Sequence, residues 1–310
     1  MPPLVAILGP TASGKSRLAI ELARRHGGEI VNCDSTAVYR GFDIGTDKVP
    51  VEERGGIAHH LIDVVEPAVR YSAADFARDA AAAIRGITAR GRLPLLVGGT
   101  GLYYRAVTRG LFDGPSADAA LRARIEAVAR RHGVEFLHRM VARVDPASAV
   151  RIQPRDRKRL VRALEVRFAT GRPLTAHFAE TRSPLPDYDV IAIALRIPGA
   201  LTAERVARRV DAQFAAGVVD EVRRHLAAGL PRGAHPFSGL VYRQILEMLD
   251  GVRAEAETRA LIIRENRRYA RRQLIWFRKE PNLDWLDGPG ERLAVVEAAD
   301  AILRTRGVTG

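Results

Sequence analysis

The chain has 310 residues and a single cysteine, which excludes an intrachain disulfide and a cysteine zinc cluster. Hydrophobic residues make up 47% and charged residues 27%, as in a globular protein of one large or two smaller domains. The 49 lysines and arginines exceed the 36 acidic residues by 13, which favours a polyanionic partner.

The first nine residues form a short apolar run without a basic residue before it, and the run ends in a glycine loop. This pattern predicts a buried strand rather than a signal peptide. The sequence also lacks a run of about 18 apolar residues that could span a membrane. We therefore expect no membrane association and a cytoplasmic location.

Apolar runs and helical periodicities alternate along the first 110 residues, which predicts an α/β fold with a parallel sheet and flanking helices. The predicted strands are Leu4–Leu8, Glu29–Cys33, Leu93–Val97 and Val190–Leu195. The predicted helices outside the central segment are Ser16–His26, Ser72–Arg90, Thr202–Gly229 and Ala254–Phe277. Ser72 and Asp75 have the spacing of a capping pair.

A long segment without strand character separates the third and fourth predicted strands. Pro115–Arg172 is almost wholly helical in pattern and ends at Gly171-Arg172-Pro173. We therefore predict a P-loop catalytic core from residues 1–114 and 187–310, and a helical insertion domain from residues 115–186.

The first predicted strand leads into a phosphate-binding loop. The P-loop pattern of two glycines separated by four residues, then lysine and serine or threonine, is matched by Gly9, Pro10, Thr11, Ala12, Ser13, Gly14, Lys15 and Ser16. Backbone N–H groups of such a loop surround a phosphate, and the following helix N-terminus adds partial positive charge. We expect Lys15 to add a full charge and the Ser16 hydroxyl to reach Mg²⁺.

Two further loops are expected beside the P-loop. Asp34 follows the second predicted strand, and Thr100 follows the third. Because the carboxyl ends of parallel strands meet at one edge of a sheet, both residues should face the same crevice as Lys15. Asp34 also fits the role of a turn cap, and Thr100 that of a turn residue.

Ordered motifs from Gly9 to about Trp285 resemble those of the bacterial tRNA dimethylallyltransferases. They are Gly9–Ser16, Asp34-Ser35, Tyr39–Thr46, Tyr71–Phe76, Val97–Tyr103, Arg159–Glu165 and Tyr242–Gln244. The resemblance implies that dimethylallyl diphosphate donates its five-carbon group to the exocyclic N6 amine of an adenosine. That adenosine lies 3′-adjacent to the anticodon in tRNAs that read codons beginning with U, and diphosphate is released. The resemblance further implies a monomer that binds the tRNA anticodon stem-loop.

The resemblance also implies roles for single residues. Asp34 would accept the proton of the amine or orient it, Thr100 would lie near the amine, and Lys15 would stabilise the leaving group. Gly9–Ser16 and Arg209 would bind diphosphate, with Mg²⁺ at Ser16. Contacts with tRNA are implied for Asp34, Ser35, Thr36, Ala37, Thr100, Arg122, Lys158, Arg159, Leu160, Val161, Arg162, Tyr242, Arg243 and Gln244.

Two runs hold nearly all of the net charge. Arg155–Arg172 carries a net charge of +5, and Arg259–Lys279 carries +7. An isolated basic run is usually a solvated helix face. The first run, however, matches a family segment that contacts tRNA, and the arginine density of the second favours phosphate contact.

Three other functions share part of this pattern. A P-loop kinase would transfer phosphate from ATP and would not need two basic helices. A prenyltransferase acting on free adenine nucleotides should lack a basic helical insertion. A nonenzymatic RNA-binding switch would use the P-loop to sense a nucleotide and would form no covalent product.

Overall fold

The computed structural model describes residues 1–112, 114 and 118–308, which form two compact units. The larger unit comprises Met1–Thr108 and Pro184–Gly310, and the smaller comprises Arg109–Ser183. The smaller unit therefore ends at residue 183, whereas the sequence pattern predicted an end at 186. The predicted start at Pro115 lies outside the described residues.

The larger unit contains a parallel sheet. Its strands are β1 (Pro3–Leu8), β2 (Gly28–Cys33), β3 (His59–His60), β4 (Leu93–Gly98), β5 (Asp189–Arg196) and β6 (Leu283–Asp287). The strand order is β3-β2-β4-β1-β5-β6. All four predicted strands are confirmed, each within one residue of its predicted bounds. The two strands that were not predicted, β3 and β6, lie at the edges of the sheet and lack the continuous apolar character of the central strands.

The described residues contain thirteen α-helices. In chain order they are α1 (Lys15–Arg25), α2 (Ala73–Ala89), α3 (Gly101–Arg109), α4 (Ala119–His132), α5 (Val134–Val144), α6 (Pro146–Arg151), α7 (Arg157–Thr170), α8 (Leu174–Glu180), α9 (Gly199–Ala215), α10 (Val218–Ala227), α11 (Leu240–Leu249), α12 (Glu255–Phe277) and α13 (Leu293–Thr305). The helices α4 to α8 belong to the smaller unit. None of the helices in the described part of the chain is both long and apolar enough to cross a membrane.

The helical predictions are confirmed with one exception. Ser72 and Asp75 form the predicted capping box at the start of α2. The predicted helix Thr202–Gly229, however, is two helices, α9 and α10. Gly217 separates them with a φ of 87°, a left-handed conformation that glycine adopts without steric cost.

Two hydrophobic cores cover the opposite faces of the sheet. Alternate residues of β1 point to opposite faces, so that Leu4 belongs to one core and Val5 to the other. The first core includes Phe76 of α2 and Phe277 of α12, and the second includes Leu18 of α1. This arrangement holds α12 close to the carboxyl ends of the central strands, where the sequence predicted the site.

Candidate functional site

The P-loop connects β1 to α1, as the sequence predicted. Gly14 precedes the first turn of α1 with a φ of 83°. A Cβ at this position would come within 2.8 Å of the Gly290 backbone nitrogen. Gly290 itself donates a 2.9 Å hydrogen bond to the Ser13 carbonyl. Gly14 is therefore required both for its backbone conformation and for this close approach.

Lys15 lies in an electrostatically mixed part of the loop. Its Nζ donates a 3.4 Å hydrogen bond to the Pro10 carbonyl. Burial lowers the pKa of Lys15 below its ordinary value, and the nearby Asp34 carboxylate partly opposes this shift. The Arg209 guanidinium lowers the pKa further. An anion bound in the loop would restore the charged form, because the buried ammonium would then have a partner.

Asp34 caps a turn and also lines the crevice. Its Oδ1 accepts hydrogen bonds from the Thr36 N–H at 2.8 Å and the Thr36 hydroxyl at 2.7 Å. Within the described residues, no hydrogen bond to its Oδ2 is found. The capping role and the catalytic role considered from sequence are thus compatible, because they use different oxygens of one carboxylate.

Thr100 ties the loop after β4 to the loop after β2. Its Oγ1 accepts a 3.2 Å hydrogen bond from the Ser35 N–H, and its own N–H donates to the Cys33 carbonyl at 3.3 Å. The structure therefore places Thr100 against the residue next to Asp34, at the carboxyl edge of the sheet.

The crevice at this edge has a volume of about 1180 Å³. Several residues that were assigned from sequence to diphosphate or tRNA line it together: Thr11, Ala12, Gly14, Lys15, Ser16, Asp34, Ser35, Thr36, Ala37, Arg209 and Tyr242. The predicted convergence of the P-loop and Asp34 is thus present within the larger unit.

The α9 helix contributes more arginines than were selected from sequence. Arg209 forms a 3.1 Å ion pair with Asp47. Arg205, which was not selected, donates a 3.1 Å hydrogen bond to the Ala12 carbonyl of the P-loop and pairs with Glu291. Arg205, Arg208 and Arg209 all line the crevice. Their i, i+3, i+4 spacing, which places them on one helix face, could have indicated this.

Tyr269 of α12 is a second crevice residue that was left unassigned from sequence. Burial, followed by the Asp34 charge, raises the pKa of Tyr269 to about 12, and the nearby Thr100 side chain partly opposes this shift. Tyr269 therefore presents a neutral hydroxyl beside Asp34 at neutral pH. In sequence, Tyr269 could not be distinguished from the core aromatics of the same helix.

The loop that carries Asp47 is held by a buried carboxylate. Glu221 of α10 accepts hydrogen bonds from the Asp43 and Ile44 N–H groups at 2.9 Å each, and from the Tyr242 hydroxyl at 2.6 Å. The Glu221 side chain thus holds in place the loop that forms one wall of the crevice.

We expect Glu221→Ala to lower the free energy of unfolding of the larger unit by about 3 kcal/mol, because the buried Tyr242 hydroxyl and two partly buried N–H groups lose their acceptor. Urea denaturation followed by tryptophan fluorescence measures this, since both tryptophans, Trp276 and Trp285, lie in the larger unit. The matched control is Glu204→Ala, which removes an exposed glutamate of α9. Equal midpoints for the two variants would contradict the anchoring role of Glu221.

The predicted tRNA-binding segment Tyr242–Gln244 is mostly buried. The Tyr242 and Gln244 side chains are each 1% exposed, and only Arg243 lies on the surface. Direct side-chain contact with RNA is therefore restricted to Arg243 in this segment. Tyr242 instead packs against the Gly45 backbone, where a Cβ would come within 2.5 Å of its ring.

In the smaller unit, a buried carboxylate organises two of the predicted tRNA-binding arginines. Glu165 accepts hydrogen bonds from Arg122 at 2.8 and 3.0 Å, and from Arg162 at 2.8 Å. Burial raises the pKa of Glu165, but the two guanidinium groups outweigh this effect and hold the pKa below its ordinary value. Arg122 and Arg162 thus have a structural role within this unit.

Arg162 and Glu165 lie on α7, and burial along this helix shows which of its residues can contact RNA. Leu160 and Val161, which were included among the predicted tRNA contacts, are buried in the core of the smaller unit. Their side chains therefore cannot contact RNA in this structure. Lys158 and Arg159 are exposed on the first turns of α7, and Arg159 forms a long, 3.5 Å pair with Asp156.

The basic run of α12 remains largely uncompensated. Within the described residues, no ion pair is found for Arg264, Arg267, Arg271, Arg272 or Arg278. Four of them, Arg264, Arg267, Arg271 and Arg278, line a second cleft of about 1030 Å³ together with Arg268. The arginines of this run are therefore available to a polyanion.

Comparison with known proteins assigns the chain to a family. Residues 37–280 match the family model described as IPP transferase. The tRNA dimethylallyltransferase of Geobacter metallireducens is 46% identical over 288 residues, covering 93% of each chain. That of Acidothermus cellulolyticus is 47% identical over 304 residues, covering 97% of this chain and 91% of the relative.

Solved structures agree with this assignment. The tRNA isopentenylpyrophosphate transferase of Bacillus halodurans is 36% identical with a TM-score of 0.73, covering 99% of this chain and 98% of the other. A eukaryotic dimethylallyltransferase acting on tRNA has a TM-score of 0.80 over 99% of this chain and 79% of its own; at 23% identity this likeness shows the fold alone. The family model and the relatives together show that this chain belongs to the IPP transferase family.

Proposed function

We propose that this protein transfers a dimethylallyl group from dimethylallyl diphosphate to tRNA. The acceptor is the N6 amine of the adenosine 3′-adjacent to the anticodon, in tRNAs that read codons beginning with U, and diphosphate is released. The observation that carries the proposal is the convergence of a P-loop and Asp34 on one crevice in a member of this family. The enzyme acts as a cytoplasmic monomer.

The donor's diphosphate binds in the P-loop. Negative charge grows on the diphosphate as the allylic C–O bond breaks, and the groups that stabilise this charge are Lys15, the loop N–H groups and Arg209. Arg205 supports the same loop through the Ala12 carbonyl. The P-loop thus binds the leaving group, in place of the nucleoside triphosphate that such loops hold in kinases.

The crevice also fits a magnesium ion. The Ser16 hydroxyl and the carboxylates of Asp34 and Asp47 line it, and oxygen atoms are the ligands that Mg²⁺ prefers. Ser16 would hold the ion together with oxygens of the diphosphate. When bound, Mg²⁺ supplies further neutralisation of the leaving group's charge.

The acceptor amine is a weak nucleophile because its lone pair is delocalised into the adenine ring. As its C–N bond to the allylic carbon forms, the amine loses a proton, which Asp34 Oδ2 accepts. Thr100 and the neutral Tyr269 hydroxyl lie beside Asp34 and orient the adenine ring. The adenosine must leave the anticodon-loop stack to reach this crevice.

Charged side chains outside the crevice bind the tRNA backbone. Lys158 and Arg159 of α7, Arg243 of α11 and the exposed arginines of α12 provide the positive charge. Contacts of this kind set the register of the RNA without reading its sequence.

The test of the function is an incubation of isotope-labelled dimethylallyl diphosphate and Mg²⁺ with unmodified tRNA, with AMP, or with ATP and small acceptors. Label in tRNA at the anticodon-adjacent adenosine supports the proposal. Label only in AMP would indicate a free-nucleotide prenyltransferase, and phosphate transfer from ATP a kinase. An affinity for RNA that depends on nucleotide, without a covalent product, would indicate a switch.

Removing two α7 cations should weaken tRNA binding in a salt-dependent way. We expect Lys158→Ala with Arg159→Ala to raise the Kd, and to reduce the slope of log Kd against log salt by about 0.7–0.9 for each phosphate that these side chains neutralise. Titrations at several salt concentrations measure the slope. The matched control is Arg130→Ala with Arg131→Ala, which removes two exposed cations from α4 of the same unit. Equal slopes for the two double variants would show that α7 does not contact phosphate.

A further inference from the structure

Gln273 of α12 contacts two loops of the site at once. Its Oε1 accepts a hydrogen bond from the Thr11 N–H of the P-loop at 2.9 Å, and its Nε2 donates one to the Gly99 carbonyl at 2.9 Å. The side chain is only 7% exposed. One amide therefore connects the loop after β1 with the loop after β4.

The packing around this amide is tight. A Cβ at Gly99 would lie 2.3 Å from Gln273 Nε2 and 3.1 Å from the Gly9 carbonyl oxygen. The absence of a side chain at position 99 is thus what allows α12 to approach both loops. A primary amide is also the smallest uncharged group that presents an acceptor and a donor at opposite ends.

The two loops carry different halves of the proposed reaction. The P-loop holds the diphosphate of the donor. The loop after β4 holds Thr100, which is bonded to Ser35 beside Asp34. The link from Thr11 through Gln273 and Gly99 to Thr100 therefore runs from the donor side of the crevice to the acceptor side.

We propose that Gln273 is a positioning residue that sets the spacing between these two loops. It thereby sets the distance from the allylic carbon of the donor to the acceptor amine. This inference rests on the proposed prenyl transfer. Gln273 acts through the backbones of the two loops, because both of its hydrogen bonds are made to them.

A change in this spacing should affect the transfer step more than binding. A misplacement of about 1 Å between reacting groups can cost about 100-fold in rate. The groups that bind diphosphate and tRNA, by contrast, are Lys15, the P-loop N–H groups, Arg209 and the basic helices, and a change at Gln273 removes none of them. We therefore expect kcat to fall while KM for each substrate changes little.

Two variants separate positioning from general stability. Gln273→Leu removes both hydrogen bonds and should lower kcat by about 100-fold with little change in KM. Thr258→Val is the matched control, because it removes the hydrogen bond of a buried hydroxyl in the same helix, about 22 Å away along the axis. Thermal unfolding of both variants reports the loss of stability, and only Gln273→Leu should lose kcat.

Gln273→Glu provides a test within one folded protein. A protonated glutamic acid can accept from Thr11 and donate to Gly99, whereas the carboxylate would oppose the Gly99 carbonyl. Burial should raise the pKa of the introduced acid above its ordinary value of about 4.3. The kcat of this variant relative to wild type should therefore rise as the pH falls from 8.5 to 6, on the order of tenfold or more.

The ionisable groups that line the crevice are the same in this variant and in wild type. They are Lys15, Asp34, Asp47, Lys48, Glu53, His59, His235, Tyr242, Tyr269, Glu291 and the arginines Arg17, Arg205, Arg208 and Arg209. Cys33 lies directly before Asp34. Titration of these groups therefore affects the kcat of both proteins. A change with pH in the ratio of the two kcat values reports the titration of the substituted side chain.

The outcomes are distinct. If wild type does not prenylate tRNA, the proposed function is wrong, and the role of Gln273 is wrong with it. If wild type is active but Gln273→Leu keeps its kcat, or Gln273→Glu keeps a constant ratio to wild type across pH, only the positioning role is wrong. A selective loss of kcat together with recovery of Gln273→Glu at low pH supports it.

Discussion

Asp34→Asn is expected to lower kcat for tRNA prenylation by about 10²–10⁴-fold, the usual contribution of a general base. Asparagine keeps an oxygen that can accept the two hydrogen bonds from Thr36 and so preserves the turn. It removes the negative charge and the proton acceptor at the second oxygen. The affinity for tRNA should therefore be retained, since the groups that bind the RNA backbone lie elsewhere. Single-turnover transfer and a separate tRNA titration measure the two effects.

The comparison with Asp34→Ala separates the two roles of this residue. Alanine removes both the proton acceptor and the turn cap, and removal of the cap should cost a further ~1 kcal/mol of stability. If Asp34→Asn transferred the prenyl group at the wild-type rate while Asp34→Ala did not, the carboxylate would be a turn cap only. Equal losses in transfer, with a stability difference between the variants, support the base.

The site could be predicted from sequence wherever the residues act through local geometry. The P-loop is such a case, because strand, glycine loop and helix are contiguous and their order alone predicts the phosphate cradle. Asp34 and Thr100 could be placed beside it because each follows a strand, and parallel strands end at one edge of the sheet. These predictions needed no knowledge of how distant helices pack.

Two of the residues that were missed, Gln273 and Tyr269, depend on long-range packing. Gln273 and Tyr269 reach the crevice only because α12 lies across the carboxyl ends of the central strands, more than 160 residues along the chain from Thr100. Their helix reads in sequence as a basic amphipathic segment, and nothing local separates the crevice face from the core. The same limit explains Tyr242, which lies in a matching motif but turns inward.

The total charge of the chain indicates the class of partner, but the charge of a single residue does not show whether that residue is available to the partner. The run of α7 is strongly basic in sequence, but its Arg162 converges with Arg122 of α4 on the buried Glu165, and the two guanidinium groups hold the pKa of Glu165 below its ordinary value. The arginines of α12 have fewer acidic neighbours. A count of charges along the chain therefore predicts the partner class, while the availability of each cation is decided by acids that tertiary structure brings near.

Lys15→Met should lower kcat/KM for dimethylallyl diphosphate by about 10²–10³-fold, because it removes a full charge from the site where the leaving group becomes more negative. The apparent affinity for the donor should fall as well, since this charge is also present in the ground-state complex. The affinity for tRNA should not change. Initial rates at varied donor concentration, together with a tRNA titration, measure these quantities.

The pH dependence of kcat/KM tests the role of the Lys15 charge more directly. Burial lowers the pKa of Lys15, so the ammonium of the free enzyme deprotonates at a lower pH than an ordinary lysine. Because the charged form binds diphosphate, kcat/KM of wild type should decline as the pH rises through this lowered pKa. Burial and the Asp34 charge raise the pKa of Tyr269 to about 12 and that of the Cys33 thiol above its usual range, so neither produces a decline at lower pH.

Lys48→Met is the matched control for this profile. Lys48 is the other lysine at the crevice, but its Nζ already contacts the Asp43 and Asp63 carboxylates at 2.6 and 2.5 Å. Its removal should reduce stability and leave the alkaline decline in place, whereas Lys15→Met should abolish the decline. If the decline persisted in Lys15→Met, another group would carry the charge that holds the diphosphate, and the P-loop lysine would not be the one that stabilises the leaving group.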